Sequence, residues 1–262
     1  MLVSRDPDAL QTHLNLVVAV GNTYGLELNS GKTILLQIRT NAGIVGPDGE
    51  PIKCKDSAVY LGGLLSVDGK PSAELTRRLG EAKAIFQKLC LVWNHANLSK
   101  ARKHRILEAC VHSKLLYGLE SCMLLKVDRD RLDGFQARCL RKIHKILPAY
   151  VSRVSNADVR GLANTRPLSL SLLERQLKLY GKLARDAPKS LPKAMVFESC
   201  QPNQVTPRRW NTRRSRGRPR LQWTTYLHAQ ALAVAGGDSD KLQTIVQNTS
   251  EWHSAVAQYC AL

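Results

Sequence analysis

Apolar and polar positions follow two different rhythms along the chain, and the change falls near residue 71. Before it, Leu10, Leu14, Val17 and Val18 make a stripe at helical spacing over 7–24. Asp6 stands where a cap belongs, and Pro7 suits the first helical position. Short segments rich in apolar and β-branched residues follow at 33–38, 51–54 and 59–66. Turn chemistry separates them at Gly46-Pro47-Asp48-Gly49 and Asp68-Gly69. Residues 1–70 therefore predict one helix followed by a small antiparallel sheet.

Beyond residue 71 the helical period dominates. Leu75, Leu79, Ala82, Phe86, Leu89 and Trp93 recur at alternating intervals of four and three, a continuous apolar stripe. Ser99 is placed to cap a second helix running to about Leu125. Leu132, Phe135, Cys139, Ile143 and Ile146 mark a third helix, ended by Pro148. Ser171 and Glu174 have the spacing of a capping box and predict a helix over 171–186. The stretch 187–220 has no helical period and reads as a linker or arm, and 221–262 suits two or three short helices. The predicted class is α+β: a small antiparallel sheet leading into a mainly α-helical remainder, divided as 1–70, 71–150 and 151–262.

Composition narrows the partners. The chain has 262 residues, 44% of them hydrophobic, enough for a substantial core. Lys and Arg number 39 against 21 Asp and Glu, a net charge of +18 that favours a polyanion. Nucleic acid is the first candidate and an anionic membrane surface the second. No apolar run approaches the roughly 20 residues of a spanning helix. The run at 14–20 follows Asp6 and Asp8 without a basic flank, so a secretory signal is not expected and the nucleus or cytoplasm is. Seven cysteines without a C-x-x-C pair predict neither a disulfide framework nor a zinc site. Cys90, Cys110 and Cys139 fall in helical segments and read as small apolar side chains.

Three basic clusters stand out. Lys100, Arg102, Lys103 and Arg105 crowd the start of a helix, where the dipole disfavours cations, and are candidates for phosphate contact; a solvated face explains them equally. Arg138, Arg141, Lys142 and Lys145 line the third helix opposite its apolar stripe and are accounted for as a charged surface. The densest cluster, 207–220, holds Arg208, Arg209, Arg213, Arg214, Arg216, Arg218 and Arg220 with no acid. Its arginines can fork onto phosphates, and Trp210 can stack on an unpaired base. A disordered linker or import signal is the alternative there, and Arg216 to Arg220 also resembles an AT-hook. Gly25 to Thr33 approximates a phosphate-binding loop but has five residues between Gly25 and Gly31 where that motif has four, so nucleotide hydrolysis is not expected.

In order along the chain, several segments together resemble non-LTR (LINE-type) retrotransposon reverse transcriptases. GLELNSGKT (25–33) is similar to the fourth palm motif, and VYLGGLLSVDG (59–69) to the primer-grip turn. LLYGLESC (115–122), FQARCLRKI (135–143), NADVRGL (156–162) and RGRPRLQW (216–223) are similar to segments beyond it. Cys122 stands where the family usually has Trp. The resemblance implies a palm edge over 1–70, a thumb formed by helices 72–147, and a C-terminal helical region with a basic arm at 205–220. It implies that Lys32 protonates the pyrophosphate leaving group and that Tyr60, Leu61 and Gly62 position the primer end. It further implies that the Tyr-Ala-Asp-Asp turn belongs upstream of Met1. Polymerisation needs paired aspartates holding two Mg²⁺, so the expectation is no polymerase activity and no cofactor for this chain alone. The expected partners are RNA, DNA or their hybrid, with the remainder of a polymerase as a further one. An AT-hook DNA-binding protein and a transposon relic without a selected role stay open beside this.

Overall fold

The computed structural model describes residues 1–95, 97–198, 205–208 and 221–261. The chain folds as two compact units, Met1–Glu74 and Leu75–Leu262; the described residues are mainly helical, with one small antiparallel sheet among them.

In the first unit, α1 spans Pro7–Thr23. The Asp6 carboxylate accepts the Asp8 N–H at 3.0 Å and caps it, with Pro7 in the first turn. Leu14 is the stripe residue that becomes buried; Leu10 and Val18 are half-buried and Val17 is exposed. Gln11 clasps the following loop, donating to the Val45 carbonyl at 2.9 Å and accepting the Val45 N–H at 2.8 Å. The sheet is a single hairpin, β1 (Ser57–Tyr60) and β2 (Gly63–Ser66), in register Ser57 to Ser66 through Tyr60 to Gly63. The segments at 33–38 and 51–54 do not join it. They meet through an isolated bridge between Leu35 and Cys54, and a second bridge joins Val45 to Pro51 around the turn at 46–49. With Leu14 and Ile44 as its buried apolar side chains, this unit lacks the apolar area that would extend the pairing.

The second unit is built of helices that begin with α2 (Ser72–Lys88), whose first residues belong to the first unit. A short α3 (Cys90–Asn94) buries Trp93, and its indole donates to the Phe86 carbonyl at 2.8 Å. The predicted helix from Ser99 to Leu125 is broken. Ser99 caps α4 (Lys100–Ile106), which passes through a π-turn at Leu107–His112 into α5 (Ser113–Leu116). The run stops at Tyr117, which is extended; Gly118 then takes a φ of 76°, and a 3₁₀ turn follows at Leu119–Ser121. The third predicted helix is α6 (Lys126–His144), which buries Leu132, Phe135, Cys139 and Ile143. Burial pushes the Cys139 thiol up to about 12, whereas Cys90 and Cys110 are exposed and do not pack as apolar side chains.

Arg141 corrects the picture of a uniformly charged face on α6. It is buried, and its guanidinium donates to the Leu147 carbonyl (3.1 Å), the Val154 carbonyl (2.7 Å), Asn156 Oδ1 (3.1 Å) and Ser152 Oγ (3.4 Å). These bonds hold the connection through α7 (Ala149–Ser152) to α8 (Asn156–Ala163). A lysine supplies one charge but not the planar fork. Arg141→Lys is therefore expected to cost about 2 kcal/mol in chemical denaturation and to speed amide exchange over 147–156. Unchanged exchange there would show that the fork does not hold this segment.

The capping box lies at Ser155 and Asp158, at the start of α8. The predicted one at Ser171 and Glu174 does not form, because α9 (Leu168–Arg185) begins three residues earlier behind Pro167. The predicted linker contains α10 (Leu191–Val196), capped by Ser190. Its Lys193 is buried and donates to the Ala184 and Asp186 carbonyls at 2.9 and 3.1 Å, satisfying the end of α9. Residues 221–261 hold α11 (Trp223–Val234), α12 (Ser239–Gln247) and α13 (Thr249–Tyr259). Two apolar clusters form the core of this unit and meet along α9: Leu75 to Leu172, and Leu173 to Cys260. The Trp223 indole donates to the Glu120 carbonyl at 2.9 Å and Gln176 to the Cys122 carbonyl at 2.8 Å, joining the two.

Candidate nucleic-acid interface

The hairpin turn of the first unit takes positive φ at both central residues, Leu61 at 47° and Gly62 at 80°, the arrangement that matches strand twist in two-residue turns. Glycine enters this region freely, but leucine does so against its own side chain. Leu61 is nevertheless 78% exposed, and Tyr60 is exposed beside it, so the turn presents an apolar tip. Lys32 lies on a separate loop. Its N–H donates to the Asn29 carbonyl and Asn29 Oδ1, and its side chain is exposed. The Asp6 carboxylate is engaged in capping α1. Among the described residues, no three His, Cys, Asp or Glu side chains converge as metal ligands, and no helix is long and apolar enough to cross a membrane.

In the second unit, the basic cluster opening α4 divides. Lys100, Arg102 and Arg105 are exposed and have no carboxylate partner among the described residues. Lys103, predicted with them, turns inward: it is buried, and Nζ donates to the Trp93 carbonyl at 3.0 Å. A carbonyl in the last turn of a helix lacks an internal donor and sits at the negative end of its dipole, which suits an ammonium. Lys103 is thus a fastener for α3. His104 points to α6, where its Nε2 meets Nε2 of His144 at 3.0 Å. Burial holds both imidazoles below their usual range. Lys100 adds to this at both rings, Glu108 opposes it at His104, and His104 itself contributes at His144. At the end of α6, Arg138, Lys142 and Lys145 are exposed.

A cleft of about 780 Å³ opens beside this run of helix, between the π-turn, α8 and α9. Arg160, Arg166, Arg175 and Lys178 line it, with Glu108 and Glu174 as its acids. Burial alone would raise Glu174, but Lys178 at 2.5 Å and Arg166 hold its carboxyl below the usual range. Arg160 and Arg175 have no carboxylate partner among the described residues. The π-turn carries His112 into the wall, where it is 7% exposed and burial lowers its pKa to about 4. Its Nε2 and the Thr165 hydroxyl are buried without a hydrogen-bond partner. Sequence reading missed this site, since it combines side chains from 108 to 178 with no common local pattern. A π-turn inside a helix often marks a functional position, but its sequence carries no signature.

Of the arginine-rich segment, Arg208 is described. It is half-buried, its backbone N–H donates to the Val196 carbonyl at 2.8 Å, and its guanidinium donates to the Ala194 carbonyl. These bonds tie it to α10. Arg209, Trp210, Arg213, Arg214, Arg216, Arg218 and Arg220 lie outside the described residues. No protein-family model, curated protein or solved structure matches the chain.

Proposed function

We propose that this chain is a portion of a non-LTR retrotransposon reverse transcriptase: palm edge, helical thumb and basic C-terminal region. Its own activity is to hold RNA, DNA or an RNA–DNA hybrid through backbone phosphates. The observation that carries the binding is the group Lys100, Arg102 and Arg105, three exposed cations of one short helix that no described carboxylate neutralises. Like charges crowded in this way repel one another and are relieved by a polyanion. Support for the family comes from the ordered motifs together with a hairpin whose Tyr60–Gly62 tip faces solvent, as a primer grip requires. In this reading the helices from α2 to α6 are the thumb.

Fluorescence anisotropy with a short RNA–DNA hybrid tests it. The triple variant Lys100→Gln, Arg102→Gln, Arg105→Gln is expected to bind roughly tenfold more weakly or worse, with stability unchanged. Lys103→Gln is expected to lower stability instead, by about 1–3 kcal/mol. Equal affinity of the triple variant and the parent would remove α4 from the interface. Replacing Arg213, Arg214, Arg216 and Arg218 by Ala is expected to weaken binding more than replacing Arg138 and Lys142.

A further inference from the structure

The cleft between the π-turn, α8 and α9 differs from the open basic surface, and its chemistry selects a different form of phosphate. We propose that it is a binding site for a phosphate monoester, held by Arg160 and Arg175 with Thr165 and His112 completing its hydrogen bonds. Charge supports this first. Four cations and two carboxylates line the cleft, leaving two positive charges in excess. A monoester carries about −1.5 to −2 at neutral pH, against one negative charge for a backbone diester.

Geometry supports it second. Arg166 and Lys178 are engaged with Glu174, which leaves the two other guanidiniums to take a ligand, and guanidinium forks fit phosphate oxygens in pairs. His112 Nε2 and Thr165 Oγ1 are the buried polar atoms of the wall without partners in the protein. Leaving such atoms unsatisfied costs about 1–3 kcal/mol each, and phosphate oxygens accept from both an imidazole N–H and a hydroxyl. The volume, about 780 Å³, lies within the range of small-ligand sites. A strand end and a free nucleotide present the same group, so the experiment separates them.

The full chain is titrated with one short oligonucleotide carrying either a 5′-phosphate or a 5′-hydroxyl, and with adenosine monophosphate as competitor. The phosphorylated strand is expected to bind roughly tenfold more tightly than its hydroxyl twin. Competition by adenosine monophosphate would assign the site to free nucleotides as well; preference without competition would assign it to strand ends. In the variant Arg160→Gln, Arg175→Gln, whose side chains bond to no other group among the described residues, the preference is expected to vanish while the hydroxyl twin binds as before. Equal binding of the two strands with no binding of adenosine monophosphate overturns the proposal, as does a preference that survives in the variant. Backbone binding is judged separately: strands that bind alike keep it while the cleft fails, and nucleotide bound without strand binding does the reverse.

Discussion

Gly181→Ala is expected to destabilise the second unit by about 3 kcal/mol, against the normal direction of such a change in a helix. Alanine in mid-helix gains about 1 kcal/mol over glycine from propensity. At this position a Cβ would stand 2.3 Å from Nε1 and 2.4 Å from Cδ1 of Trp252. Trp252 is fully buried in the second core cluster, so the ring cannot move aside into solvent. Its N–H also donates to the Leu177 carbonyl at 2.9 Å, one turn before Gly181, and displacement would break that bond. Overpacking of about 1–3 kcal/mol and a lost buried hydrogen bond of similar size outweigh the propensity gain. Gly80, exposed on α2 with nothing near its missing Cβ, is the control and is expected to gain stability on the same substitution. A denaturation midpoint for Gly181→Ala at or above the parent would contradict the close approach of α13 to α9.

The second large effect is loss of stability in mild acid. His104, His112, His144 and His228 all have pKa values held below the ordinary 6.5, each chiefly by burial, and His112 reaches about 4. Below pH 6.5 the unfolded chain binds protons that the folded chain refuses, so stability is complete above that value and declines as pH falls towards 4. For His112 alone the loss between pH 6.5 and 5 is about 1.5 kcal/mol. The His104–His144 contact adds to it, because one ring must accept at 3.0 Å and two protonated rings cannot. His112→Gln is expected to flatten the pH dependence of the denaturation midpoint in this window. The carboxylates with lowered pKa, Asp48, Asp68, Asp158, Asp186 and Glu174, act at lower pH and do not obscure it. A midpoint unchanged between pH 7 and 5 would show that burial does not hold these rings uncharged.

Features set by near neighbours were legible in the sequence. Asp6 with Pro7 marks the start of α1, Ser99 the start of α4, and the apolar stripe of α6 names the residues that become buried. The turn at 46–49 likewise follows from local backbone requirements, whereas the segment 59–66, read from its apolar residues as one strand, folds back on itself at Leu61 and Gly62. What failed depends on distant groups. Lys103, Arg141 and Lys193 occupy positions that spacing assigns to solvent or leaves unassigned, yet each is drawn inside to satisfy carbonyls at helix ends or connections. Ser171 and Glu174 match a capping pattern, but both meet Arg166, whose position is set by the link between α8 and α9. The working box uses Asp158, one methylene shorter than the glutamate that the pattern seeks. The cleft was invisible for the same reason, since its walls come together through the π-turn and the packing of α6, α8 and α9.

Whether the second unit holds nucleic acid by its phosphates is read most directly from the salt dependence of binding to an RNA–DNA hybrid. With Lys100, Arg102 and Arg105 each displacing a counterion, the logarithm of the association constant is expected to fall against the logarithm of salt concentration with a slope of about −3 or steeper. A slope near zero, or no association at low salt, would contradict it.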